Sequence, residues 1–273
     1  FETTIGQTFP ELSAKIQPAY RTVTVRQLLS HAAGIPPYGT THLMRWMLAL
    51  KGTPTEQRYT MMERVLTEPP RFEPGTRHEY SNAGAAMAGA VAERIGGSPY
   101  RQLVQELLFA RLGGHAAFGN PGLAVEPQPW GHIRPFGTVI EVHPANLLYM
   151  TPLAMEPAGG ASPSMQDYGR FLQLHLRGLR GRDDVLKATT IQELHKKAMG
   201  WSVMPHGGVA SHQHFGSSGT YVAYVTIQPS RDVAVAVFTN MGGVQDLRNA
   251  VARLALRIAA QVSRAEKLDA DSS

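Results

Sequence analysis

A tyrosine and an asparagine two positions apart stand in the run Glu79-Tyr80-Ser81-Asn82, between Pro74-Gly75-Thr76 and the small-residue stretch Ala83-Gly84-Ala85-Ala86-Met87-Ala88-Gly89-Ala90. On a tight turn just ahead of a helix, both side chains can aim into one cleft, and the small residues behind them let that helix approach its neighbours closely. A phenol works as a base only where nearby positive charge lowers its pKa from about 10. The pair therefore calls for partners elsewhere in the chain. The plainer alternative makes Tyr80 a buried aromatic closing the turn and Asn82 the cap of the following helix, a role that suits asparagine. His31 is expected to pack or hydrogen-bond at a helix end.

Three histidines invite a metal reading, because His212 and His214 fall on one side of a strand with His206 nearby. No carboxylate lies close in sequence to complete a ligand set, so neither a metal nor any other cofactor is expected. Gly216-Ser217-Ser218-Gly219 approaches a nucleophile elbow but has the wrong spacing for Gly-x-Ser-x-Gly, and turn roles suit its serines. Asp183-Asp184 reads as a solvated turn or helix cap. The chain has no cysteine, which excludes a thiol nucleophile, a disulfide framework and an iron–sulfur site built from its own residues.

The elements that must position these groups belong to a chain of 273 residues and 29.7 kDa, 43% hydrophobic and 17% charged, enough for one large domain or two lobes. The net charge of +5 is carried by scattered Lys and Arg without interleaved aromatics, which argues against a nucleic-acid partner. No apolar run approaches the ~20 residues of a membrane span, and residues 1–6 lack the start of a signal peptide. Periplasmic, secreted and cytoplasmic locations all stay open. Helices are expected over Thr22–His31, Thr41–Leu50, Thr55–Thr67, Ala83–Ile95, Pro99–Leu112, Ser164–Arg177 and Thr189–Ala198, with an irregular excursion over His115–Gly160. Three β-rich runs follow, Trp201–Met204, Tyr221–Ile227 and Asp232–Thr239, and then a helix over Val244–Val262. This gives a lead-in and mainly helical lobe at 1–198, an antiparallel sheet with its helix at 199–264, and a frayed tail at 265–273, the two lobes forming one domain.

Four segments in order resemble the serine β-lactamase and penicillin-recognising family, in particular its class C β-lactamase, D-alanyl-D-alanine carboxypeptidase and esterase branch. They are Thr24-Val25-Arg26-Gln27-Leu28-Leu29-Ser30-His31-Ala32-Ala33-Gly34-Ile35, Pro74-Gly75 through Tyr80-Ser81-Asn82, Pro157-Ala158-Gly159-Gly160 with Ser164 and Asp167-Tyr168, and His214-Phe215-Gly216 followed by Ser217-Ser218-Gly219 and ending on Phe238-Thr239-Asn240. The resemblance implies an α+β fold, an antiparallel sheet flanked by helices plus a mainly helical lobe, with the cleft between them. It also implies amide or ester hydrolysis through an acyl-enzyme, on a β-lactam, a D-Ala-D-Ala peptide or a carboxylic ester. By position Tyr80 becomes the general base or proton shuttle and Asn82 a hydrogen-bond partner of the substrate. His214 and Gly216 flank the substrate, and the backbone N–H of Ser217 serves as an oxyanion donor.

One departure from the pattern is chemical. The family's nucleophile is the serine of Ser-x-x-Lys, where one helical turn sets the amine beside the hydroxyl, and no such motif occurs in residues 1–273. The expectation is a family member without its front end, lacking the nucleophile helix and the first sheet strands, and weakly active or inactive. Three sheet strands would then remain. The exposed edge at Asp232–Thr239 would be a template for a second copy or a complementing segment. The competing expectation is a non-catalytic binding or assembly protein that uses the same cleft and edge.

Overall fold

The structure is a computed structural model and describes residues 1–37, 41–124, 128–242 and 245–271. Its contacts group into two units, the first made of Phe1–Ala110, Ala116–Gly119 and Thr151–Ser162, the second of Arg111–His115, Asn120–Met150 and Pro163–Ser273. The boundary expected at 199 lies inside the second unit, because the two helices before it pack with the sheet.

The first unit is helical. Thr24 opens α1 (Val25–Leu29) with a reciprocal capping box, its hydroxyl accepting from the Gln27 N–H while the Gln27 side chain accepts from the Thr24 N–H. After α2 (Thr41–Leu48), the helix α3 (Pro54–Thr67) starts on the same device, Thr53 with Glu56. The cap is thus Thr53 rather than the expected Thr55, since Pro54 has the backbone angle of a first helical residue and no N–H to satisfy. Helix α4 (Asn82–Gly96) ends on Gly97 in the left-handed conformation. The helix expected over Pro99–Leu112 is split into α5 (Tyr100–Val104), a π turn over Gln105–Phe109 and a 3-10 turn over Ala110–Leu112. Leu28, Met47, Met61, Met62, Leu66 and Met87 are fully buried among these helices.

The small residues of α4 do what their sequence suggests. A Cβ on Gly89 would fall 2.3 Å from Cγ of Pro157, so only glycine lets the 3-10 segment Leu153–Ala158 lie against the helix. Buried charges tie the same elements together. Arg58 on α3 is fully buried and donates to both carboxylate oxygens of Glu93 on α4, at 3.2 and 3.3 Å, and to the Pro54 carbonyl at 3.1 Å. Glu93 also accepts from the Thr55 hydroxyl and the Tyr100 N–H, both at 2.8 Å. Glu156 lies 4.0 Å from Arg58 and is clamped by Arg101.

In the second unit, α6 (Met165–Leu179) starts on Ser164, whose hydroxyl accepts from the Asp167 N–H, and is followed by α7 (Ala188–Lys196). Four antiparallel strands come next in the order β1 (Ser202–His206), β2 (Val209–Ser217), β3 (Val222–Gln228) and β4 (Val233–Thr239). The expected count of three becomes four among the described residues. The added strand β2 carries the His214-Phe215-Gly216 triplet, and its histidines and polar residues hide the strand period. Gly207 and Gly208, at φ 56° and 80°, form the two-residue hairpin that pairs His206 with Val209. Among the described residues strand β4 pairs with β3 alone and forms an edge.

One sheet face presents Val222, Tyr224, Val233 and Val235 to Val251, Ala255 and Ala259 of α8 (Gln245–Asp271). The other face presents Val225 and Ile227 to Leu172, Phe171 and Tyr168 of α6. Helix α8 continues through residues read as tail, and Val244, where the sequence reading began it, lies outside the described residues.

Candidate functional site

The Tyr80 corner is built by His31. That residue sits at φ 55° just past α1 and engages the extended segment beside it twice. Its carbonyl accepts from the Glu79 N–H at 2.8 Å and its ring Nδ1 accepts from the Ser81 N–H at 3.2 Å. Because Nδ1 is an acceptor there, the proton of the neutral ring is on Nε2. Ser81 is the helix cap, its hydroxyl accepting from the Gly84 N–H at 3.1 Å and donating to the Pro36 carbonyl at 2.8 Å. The capping role considered for Asn82 thus falls to its neighbour, and Asn82 is free to face Tyr80 from the first helical position.

Tyr80 and Asn82 are brought together. The phenol donates to Asn82 Oδ1 at 2.7 Å, and Tyr80 is 56% exposed, with its ring 4.6 Å from that of His31. Burial of its inner part raises the phenol pKa above its ordinary value. Burial likewise lowers that of His31, helped by His78 and opposed by the Ser81 bond. The corner is therefore neutral at pH 7, with Tyr80 a donor and the Asn82 amide N–H groups turned away from that bond. The two nearby arginines are engaged, Arg71 with Glu79 at 3.2 Å and Arg77 over the Phe72 ring at 4.6 Å. The positive charge that a tyrosine base requires is not among these contacts.

His214, Gly216 and Ser217 follow one another along β2, in the second unit, whereas Tyr80 and Asn82 belong to the first. The exposed His214 ring donates from Nδ1 to the Gly200 carbonyl at 2.6 Å, which fixes its tautomer and leaves Nε2 bare when the ring is neutral. A Cβ on Gly216 would meet nothing within 4 Å, so the backbone at that point is open to a ligand. The Ser217 hydroxyl accepts from the Gly219 N–H at 3.2 Å, a turn bond of the kind expected for this serine. Beyond the sheet, Asn240 donates to the Trp130 carbonyl at 2.9 Å and accepts from the His132 N–H at 2.7 Å, pinning the 130–132 segment to the strand end.

The histidines considered as metal ligands diverge. His206 is exposed on β1, His214 turns to Gly200, and His212 turns to His195. Among the described residues no group of three or more His, Asp or Glu is arranged to hold a metal ion. Sequence reasoning missed the buried pair His175 and His195, which joins His212 through ring nitrogens at 2.9 and 3.0 Å. The signal was present in α6. His175 continues the Tyr168, Leu172 spacing of its apolar face.

The family profile described as Beta-lactamase matches residues 10–260. Penicillin-binding protein 4 of Amycolatopsis lactamdurans is 26% identical over 261 residues, covering 89% of the chain and 66% of that protein. A lovastatin esterase of Penicillium rubens is 28% identical over 117 residues, 38% of the chain and 29% of that protein. The chain therefore spans less than two thirds of these relatives. The crystal structure of D-amino acid amidase from Ochrobactrum anthropi SV3, complexed with L-phenylalanine amide, superposes with a TM-score of 0.72 at 20% identity, covering 96% of the chain and 77% of that structure. At that identity the likeness establishes the shared β-lactamase-like α+β fold.

Proposed function

Because the chain belongs to the beta-lactamase family, we propose that its site is that of a serine hydrolase acting on amide or ester bonds, with Tyr80 and Asn82 as the pair that meets the substrate. The observation that carries this reading is the exposed Tyr80 hydroxyl held 2.7 Å from the Asn82 side chain. In this role Asn82 offers its amide N–H groups to the substrate's acyl side chain or amide carbonyl. Tyr80 shuttles a proton and acts as a base only when a cation is brought beside it. On β2 the family resemblance assigns His214 and Gly216 to substrate binding and the Ser217 backbone N–H to the developing oxyanion, a contact worth about a hundredfold in rate. The substrate is a β-lactam, a D-Ala-D-Ala peptide or a carboxylic ester. Residues 1–273 contain no Ser-x-x-Lys, so by themselves they bind such a compound without being acylated.

Incubation with a chromogenic cephalosporin and with a p-nitrophenyl ester, followed by intact-mass measurement, tests the second half of this statement. No acyl adduct is expected, and an adduct on any serine refutes it. Titration with a D-amino acid amide tests the first half, with binding weakened about tenfold or more by Asn82→Ala. Binding indifferent to both Asn82→Ala and Tyr80→Phe removes these residues from the site. The raised Tyr80 pKa favours a second reading, in which the site docks a ligand without chemistry and the β4 edge recruits another copy or a complementing segment. A mass that stays monomeric across concentration in light scattering eliminates that assembly role.

A further inference from the structure

Three histidines from three elements form one hydrogen-bonded chain in the second unit. His175 on α6 and His195 on α7 are 3% and 2% exposed, and His212 on β2 is half-buried. His175 Nδ1 lies 2.9 Å from His195 Nε2, and His195 Nδ1 lies 3.0 Å from His212 Nδ1. Trp201 stacks on the His195 ring at 4.3 Å and 27°, and its ring is 6.1 Å from that of His214. His195 uses both nitrogens, on opposite sides of the ring, so this is a linear chain and not a ligand cluster.

Proton counting defines what the chain tolerates. Three neutral rings carry three protons on six nitrogens, and each of the two links needs one protonated and one bare nitrogen. A fourth proton fits, because an imidazolium at His195 donates in both directions. A fifth leaves one bare nitrogen for two links, and one link must open.

We propose that His175, His195 and His212 are a proton-gated latch that fastens the β1–β2 hairpin to α6 and α7, closed with up to one extra proton and released by a second. The latch is independent of the hydrolase reading, because what it positions is the strand itself. His214 follows two residues after His212 on the same side of β2, so release frees the segment His212–Ser217 as a unit.

The surroundings favour a sharp response. Burial acts most strongly on His195, followed by the charges of His175 and His212, and burial alone lowers those two. Nearby charges are turned elsewhere: Arg177 of α6 pairs with Asp184, Lys196 of α7 is exposed, and His206 of β1 is exposed.

Hydrogen exchange read by mass spectrometry tests the latch, with rates corrected for intrinsic chemistry between pH 8 and pH 4.5. Peptides covering 202–217 are expected to lose protection about tenfold or more at the lower pH, the lower end of what a hydrogen bond to a charged ring is worth. Peptides covering 82–96 should keep theirs. His212→Phe, which cuts one link without a titrating group, should abolish the pH step. His195→Phe removes both links, should also abolish it, and serves if the first variant does not fold. Unchanged protection of 202–217, loss of protection in all segments together, or a pH step that persists in the variant overturns the latch.

Discussion

Replacing Arg58 by methionine tests the buried ion pairs of the first unit most directly. The guanidinium is fully buried, and among the described residues its Nε and Nη2 find no hydrogen-bond partner. Methionine fills the space of the stem but strands Glu93, which keeps only the Thr55 hydroxyl and the Tyr100 N–H, and leaves Glu156 to Arg101 alone. Removing one partner of a buried pair destabilises by about 3–5 kcal/mol, because the charge left behind is uncompensated. Arg58→Met with Glu93→Gln removes that charge and should recover about half or more of the loss.

Urea unfolding followed on Trp46, the tryptophan of the first unit, under Arg64 at 4.4 Å, measures both the loss and its recovery. A gap under about 1 kcal/mol between variant and parent, or a double variant no more stable than Arg58→Met, refutes the assignment of Arg58 as the charge that holds Glu93.

Other consequences are independent of that pair. Burial holds His175 down at about 4 and His195 at about 2, so below an unfolded value of about 6.5 the unfolded chain binds protons first. Stability should fall by about 2 kcal/mol per histidine between pH 7 and pH 5, above the range where the lowered carboxylates act; equal unfolding midpoints on Trp201 fluorescence at the two pH values exclude this. Gly89→Val forces a side chain onto Pro157 and should cost about 1–3 kcal/mol, read as a lower melting temperature. Ser81→Ala removes both the helix cap and the donor to Pro36 and should cost about 1–2 kcal/mol. Tyr80→Phe, at an exposed ring, should leave stability within about 0.5 kcal/mol while affecting ligand binding.

The parts legible in the sequence are those governed by local rules. The helix starting at Ser164 and the close-packing face of Ala83–Gly89 each follow from capping or residue size within a few positions. The Tyr80–Asn82 contact was legible because its two residues are neighbours on a turn. What stayed hidden depends on tertiary partners. Arg58, Glu93 and Glu156 look like surface charges until their three elements meet. His195 sits in a helix that reads as polar, and its burial is settled by α6 and β2. Strand β2 was missed because a Gly-Gly turn and polar alternation carry little hydrophobic signal.

The Arg58 contacts also bear on the order in which the chain acquires its structure. Glu156 reaches the first unit only on the return segment Thr151–Ser162, after the chain has passed through Asn120–Met150, which belongs with the second unit. During synthesis, then, the helical unit emerges nearly whole but without Glu156 and without Pro157 to cover Gly89, and it waits for about 40 more residues before it can close. Closing so long a loop carries an entropic penalty that grows only slowly with its length. Until then the nascent unit exposes part of the α4 face, and that interval, rather than the finished protein, is when this chain is most open to mispairing.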